Sequence, residues 1–159
     1  MSFYEQVKHE PFDVIGIDVV TDNSSGKAAD DINMLWQRFM TEDVLTNVPN
    51  KADNTIFGVY TDYEGDHTKP YRLIIGCRVT RTDTVPAGMT NISIPQGVYG
   101  KFIAAGEQPK SLIKEWETIW SSDIDRKYDV DFEVYGPRFF DPASQEALIY
   151  IGMKDKKPN

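Results

Sequence analysis

Cysteine and histidine are almost missing from this chain. Its 159 residues include one cysteine, Cys77, and two histidines, His9 and His67. A single cysteine excludes an internal disulfide framework. Two histidines are too few for a histidine-built metal site, and one thiol without a clear partner is a poor nucleophile candidate. Cys77 sits in a run of strand-forming residues and reads as a small buried hydrophobe. Positive charge is also scarce: 17 Lys and Arg stand against 25 Asp and Glu, a net charge of −8. That balance repels phosphate backbones and anionic membrane surfaces and favours cations, so direct nucleic-acid binding is not expected. Long apolar runs are absent, so no segment reads as a membrane span and the first residues do not read as a signal peptide. The expected location is cytoplasmic. No nucleotide-binding glycine loop, Ser/His/Asp set or phosphate cradle is visible. The acid-rich stretches 62–66 and 123–129 lack calcium-loop spacing and read as solvated loops. Neither a cofactor nor a metal is expected.

What the chain does have is the composition of one soluble domain. It is 40% hydrophobic and 26% charged, and long enough to bury a sizeable core. Phe3 to Val7 and Phe12 to Val20 read as one strand region interrupted at Pro11. A turn-type cluster, 22–26, precedes a helix from about Lys27 to Met40, with Ile32, Leu35, Trp36, Phe39 and Met40 on one face. Strands are predicted over Thr55–Tyr63 and Tyr71–Thr80, joined by a polar hairpin. After a linker holding Pro86 and Gly88, the order starts again. Ile92 to Ala105 reads as a strand region broken at Pro95 and Gly97. A helix begins at Pro109, a residue suited to the first helical position, and runs to about Ser122. It carries Leu112, Ile113, Trp116, Ile119 and Trp120. Strands follow over Val130–Tyr135 and Ala147–Met153, then a charged tail, 154–159, expected to fray.

The two halves therefore align as strand, helix, strand, strand. Val14-Ile15-Gly16 aligns with Val98-Tyr99-Gly100, and Trp36 with Trp116. Phe57-Gly58-Val59-Tyr60 aligns with Phe132-Glu133-Val134-Tyr135, and Ile75-Gly76 with Ile151-Gly152. The fold class expected is α+β, a tandem β-α-β-β repeat over about 1–82 and 90–155. Its antiparallel sheets join side by side, with the two main helices on one face and a ligand groove between them.

One strand contradicts its surroundings. Asp131 to Arg138 alternates, with Phe132 and Val134 on one face and Glu133 and Tyr135 on the other. A carboxylate in mid-strand in an aromatic-rich setting is the kind of local conflict that marks functional sites. Burial without a partner raises a carboxylate's pKa and is costly. A cationic, partly aromatic ligand relieves that conflict, and aromatic faces add about 0.5–2 kcal/mol each through cation–π contact. Glu133 is thus the candidate ligand-charge partner. In the alignment it occupies the place of Gly58, so one copy leaves room where the other supplies charge. Tyr60 and Tyr135 fall on the same strand face, and Trp36 and Trp116 on the inner helix faces. Trp120, Phe57, Phe132, Val59 and Val134 read as packing residues. The alternative is that Glu133 is satisfied by a tyrosine hydroxyl or by Arg138, or is exposed to solvent.

The order of these motifs resembles the GyrI-like domain, also the effector-binding domain of AraC-type and MerR-type multidrug-sensing regulators. The matching pieces are Gly-Val-Tyr-Thr-Asp-Tyr at 58–63, Gly106 entering the Trp116 helix, Asp-Phe-Glu-Val-Tyr at 131–135 and Ile-Tyr-Ile at 149–151. The resemblance covers nearly the whole chain. It implies a drug-sized pocket between two helices and a ligand-pairing glutamate, which maps onto Glu133. The chain starts directly in its first strand, with no helix-turn-helix module, so a stand-alone binding module is expected. Such single-domain members include some carried on mobile gene cassettes. The implied partners are cationic small molecules, with a protein partner or homodimer left open. The resemblance also admits two other activities: hydrolysis of small reactive electrophiles by Glu133 with Tyr60 or Tyr135, and inhibition of gyrase.

Overall fold

A computed structural model describes residues 4–24, 26–65 and 68–154. Among the described residues eight strands form one antiparallel sheet: β1 (Glu5–His9), β2 (Phe12–Thr21), β3 (Lys51–Thr61), β4 (Tyr71–Val79), β5 (Thr90–Ile94), β6 (Gly97–Ala104), β7 (Arg126–Tyr135) and β8 (Ala147–Met153). Two long helices, α1 (Lys27–Thr41) and α3 (Lys110–Ser121), are accompanied by two single turns, α2 (Val44–Asn47) and α4 (Pro137–Phe140). The expected α+β class, antiparallel sheet and paired main helices are all present.

The strand order is β1-β6-β8-β7-β3-β4-β2-β5. The two strand regions expected to be merely interrupted at Pro11 and Pro95 are each two separate strands on opposite flanks. β1 and β2 stand six places apart in the order, as do β5 and β6. In a flat sheet with strands about 4.8 Å apart that distance is about 29 Å. Each link has only two residues, Glu10-Pro11 or Pro95-Gln96, and bridges at most about 11 Å. The sheet therefore curls until its flanks meet. His9 pairs with Gly97 and Phe12 with Ile94, so the two links run side by side. Both prolines sit where no ladder hydrogen bond is required of them.

The curl closes one face on itself. Phe12, Val14, Phe57, Val59, Tyr99 and Phe132 form a buried cluster there, and the His9 ring packs against Phe12, Tyr99, Phe132 and Tyr150. Curvature requires close approach in places. Gly16 and Gly76 are cross-strand partners, and a Cβ on either would lie 2.1 Å from a backbone oxygen of the other strand.

The other face carries the helices. Leu35 and Phe39 of α1 pack with Ile15, Ile17, Leu73 and Ile75. Ile119 of α3 packs with Phe102, Ile149 and Ile151, with Leu112 and Trp116 against them. Directly opposed residues in antiparallel strands share a face. The register Ile17–Ile75–Gly58–Glu133–Ile149–Phe102 joins these clusters across one side of the sheet. A cleft remains between α1 and α3 over the central pair β3 and β7.

Three local differences from the sequence reading have simple causes. β3 begins at Lys51, ahead of its expected start, because a register shift between Lys51 and Ile56 extends the pairing. β7 begins at Arg126, across a second shift between Arg126 and Asp131. The turn α4 follows Pro137, which suits the first helical position. The expectations for Phe3 and for the tail beyond Lys154 lie outside the described residues.

Candidate ligand site between the two long helices

β3 and β7 pair so that Gly58 lies directly opposite Glu133. A Cβ at position 58 would sit 3.0 Å from Glu133 Oε1, so the glycine makes room for the carboxylate. Glu133 is only 3% exposed. The hydroxyls of Tyr60 and Tyr135 donate to its Oε1 at 3.1 and 2.6 Å. The indole N–H of Trp116 donates to Oε2 at 2.7 Å. All three donors are neutral. Arg138, the cation weighed as its partner, instead bonds Glu146 at 3.0 Å. Glu133 is thus a buried carboxylate with donors but no counter-charge among its hydrogen-bond partners in the described residues.

Burial pushes the Glu133 carboxyl above its ordinary range, and the bonds from Tyr135, Trp116 and Tyr60 only partly oppose that rise. The same burial, reinforced by the Glu133 charge, holds the Tyr60 and Tyr135 hydroxyls protonated far above neutral pH. They act here as donors.

The carboxylate belongs to the wall of a cavity of about 600 Å³. Trp36, Trp116, Tyr60 and Tyr135, the other four residues singled out from sequence, line the same cavity. Their rings touch in two pairs: Trp36 with Tyr135 at 5.2 Å and Tyr60 with Trp116 at 5.3 Å between centroids. The structure therefore brings all five together. Phe57, Val59 and Phe132 pack on the far face, as expected.

Other cavity residues had escaped the sequence reading. Trp120, expected in the core, is 41% exposed and lines the cavity. It falls one turn beyond Trp116, rotated toward the mouth, where Met40, Ile113 and Phe140 are also exposed. These side chains make an apolar rim. Tyr63 just past β3, Tyr71 of β4 and Arg126 of β7 extend the lining. Asp131 stands two residues before Glu133, on the same strand face. It is fully buried and pairs with Arg126 Nη2 at 2.7 Å. It also accepts the Gly152 N–H at 2.8 Å and the Tyr63 hydroxyl. Strand alternation also sets Asp131 on the Glu133 side. Nothing local pointed to Arg126, because the register shift brings it there.

Among the described residues no group of three or more His, Cys, Asp or Glu is arranged to hold a metal ion. No helix among them is long and apolar enough to cross a membrane.

Comparison with known proteins places this arrangement. The Cass2 family, described as integron-associated effector-binding proteins, matches residues 6–153. An integron cassette protein from the mobile metagenome of Vibrio cholerae is 26% identical, covering 95% of each chain, with a TM-score of 0.73. SAV2435, solved bound to tetraphenylphosphonium, superposes with a TM-score of 0.77 over 96% of this chain and 94% of its own, at 20% identity. YobU of Bacillus subtilis (strain 168), provisionally described as a transcriptional regulator, is 25% identical over 127 residues, 77% of this chain and 79% of its own.

Proposed function

The chain belongs to the integron-associated effector-binding family, and from that premise we propose that it binds cationic, amphipathic aromatic compounds as a sensor or sequestering protein. One observation carries the reading. Glu133 is buried, takes bonds from three neutral donors, and faces a ring-lined cavity of about 600 Å³. That volume is in the range of drug-sized sites. The carboxylate is already stripped of water, so an incoming cation does not have to dehydrate it. Tyr60, Tyr135, Trp36 and Trp116 offer ring faces to a flat or propeller-shaped aromatic body. Stacking and a single charge demand little exact shape, which suits a range of ligands. Tetraphenylphosphonium, found in SAV2435, is an ion of this chemistry.

The two halves, about 1–82 and 90–155, are read as copies of one β-α-β-β unit. The pairing of Gly58 with Glu133 supports that reading. A link to transcription regulation, a partner that is either another protein or a second copy of this chain, and a cytoplasmic location complete the proposal. No specific observation among the described residues favours hydrolysis or gyrase binding over ligand capture.

The test compares two ions of nearly equal size and opposite charge. Trp36, Trp116 and Trp120 are the three tryptophans of the chain and all line the cavity, so their fluorescence reports occupancy. Titration with tetraphenylphosphonium is expected to quench or shift that emission. Tetraphenylborate is expected to bind far more weakly. Equal affinity for the two ions would remove Glu133 from the proposed role.

A further inference from the structure

Among the described residues Arg126 is the basic one of the cavity wall, and its bonding is incomplete. It is 7% exposed. Nη2 bonds Asp131, but Nε and Nη1 are buried and have no hydrogen-bond partner among the described residues. Asp131 is itself shared: Oδ1 takes the Gly152 N–H, and Oδ2 takes both Arg126 and Tyr63. The guanidinium lies against two rings, 4.2 Å from the Tyr128 centroid and 5.9 Å from that of Tyr63. Ring faces attract its charge but are weak acceptors for its N–H groups. Leaving buried donors of a charged group unmatched is costly.

Arg126 and Glu133 line one cavity. Asp131, which holds Arg126, precedes Glu133 by two residues on the same face of β7, about 7 Å along the strand. A substituted phenyl ring spans such a distance. Resting on the proposed cation site, we infer that Arg126 is a second anchor of the cavity, and that the preferred ligands are aromatic cations carrying a neutral hydrogen-bond acceptor, such as a ketone or amide carbonyl, about one ring away from the positive centre. A neutral acceptor is favoured over a carboxylate by charge count. Arg126 is already balanced by Asp131, and Glu133 adds a further negative charge, so a second anion meets repulsion. The two free nitrogens are closed to water in this state. An acceptor reaches them as Tyr63, which also lines the cavity, or Tyr128 shifts aside.

The test uses three para-substituted derivatives of tetraphenylphosphonium: acetyl, isopropyl and carboxylate. Acetyl and isopropyl have nearly the same shape, and isopropyl is the more apolar. Wild type is expected to bind the acetyl compound about tenfold tighter than the isopropyl one, as for a hydrogen bond to a charged donor. The carboxylate compound is expected to bind more weakly than either. Arg126→Lys keeps the charge opposite Asp131 but loses the forked donors. It is expected to bind acetyl and isopropyl compounds alike. Acetyl binding no tighter than isopropyl in wild type overturns the inference, as does a preference for the carboxylate or a preference that survives in Arg126→Lys. The wild-type comparison alone decides the matter if the variant does not fold. Failure of the cation site itself is distinguishable, because the unsubstituted phosphonium would then bind no tighter than tetraphenylborate.

Discussion

Glu133→Gln removes a charge while sparing shape, and its consequences can be worked through. Glutamate Oε1 accepts from the Tyr60 and Tyr135 hydroxyls, and Oε2 from the Trp116 indole. The indole hydrogen cannot turn away, so the glutamine oxygen takes that bond. The amide NH₂ then faces hydroxyl oxygens, which can rotate and accept. The pocket keeps its form and loses its negative charge. The positive centre of tetraphenylphosphonium is sheathed by phenyl rings and comes no nearer than about 6 Å to a carboxylate oxygen. At an effective dielectric of about 20, the attraction at that distance is roughly 3 kcal/mol. Little is offset by new desolvation, since Glu133 is already buried. The expected loss is about a hundredfold in Kd. Tryptophan fluorescence titration, with melting curves to show the variant is folded, measures it. Tetraphenylborate should bind the variant as well as or better than it binds wild type. A folded Glu133→Gln that keeps wild-type affinity for the phosphonium would refute the electrostatic argument.

Further perturbations test the surrounding structure. Gly58→Ala places a Cβ 3.0 Å from Glu133 Oε1, pushing the carboxylate a few tenths of an ångström against its donors; about 1–3 kcal/mol of overpacking is expected, read as a lower urea midpoint and weaker cation binding. Trp116→Phe deletes the donor to Oε2, at an expected cost of about 1.5–3 kcal/mol in chemical denaturation at neutral pH. The pH dependence follows from burial, which holds the Glu133 carboxyl above 4.5. The native chain keeps this proton to higher pH than the unfolded chain, so the associated stability is complete below the ordinary value and is lost as pH rises through the raised one. Cation affinity runs the opposite way, increasing over the same window with release of a proton that calorimetry in different buffers detects; Glu133→Gln should abolish the affinity slope and remove the Glu133 share of the stability slope, leaving that of the buried Asp131 carboxyl. Arg126→Met leaves Asp131 as a buried, unpaired charge and should cost about 3–5 kcal/mol in urea unfolding, whereas adding Asp131→Asn should recover most of it.

Legibility in the sequence depended on whether the signal was local. Period-two alternation placed Glu133 and Tyr135 on one face of β7, and helical spacing placed Trp36 and Trp116 on inner faces. The exposed rim was harder. Ile113 and Trp120 were grouped with the core face of α3, because helical spacing alone does not say where a stripe ends and a cleft begins. The curled sheet was not legible at all. Pro11 and Pro95 looked like interruptions in single strands, and only the pairing of β1 with β6 and β5 with β2 reveals links between opposite flanks.

Composition and periodicity by themselves determined that this is an acidic α+β domain with a carboxylate placed among aromatic residues. They could do so because side-chain direction within a helix or strand is a property of nearby residues. Tertiary structure decided what that carboxylate meets. The Tyr60 hydroxyl comes from 73 residues away, the space beside Glu133 comes from Gly58 on the paired strand, and Arg126 arrives through a shift of register. Register between distant strands is set by the packing of the whole sheet under its helices, and no short stretch of chain contains that information.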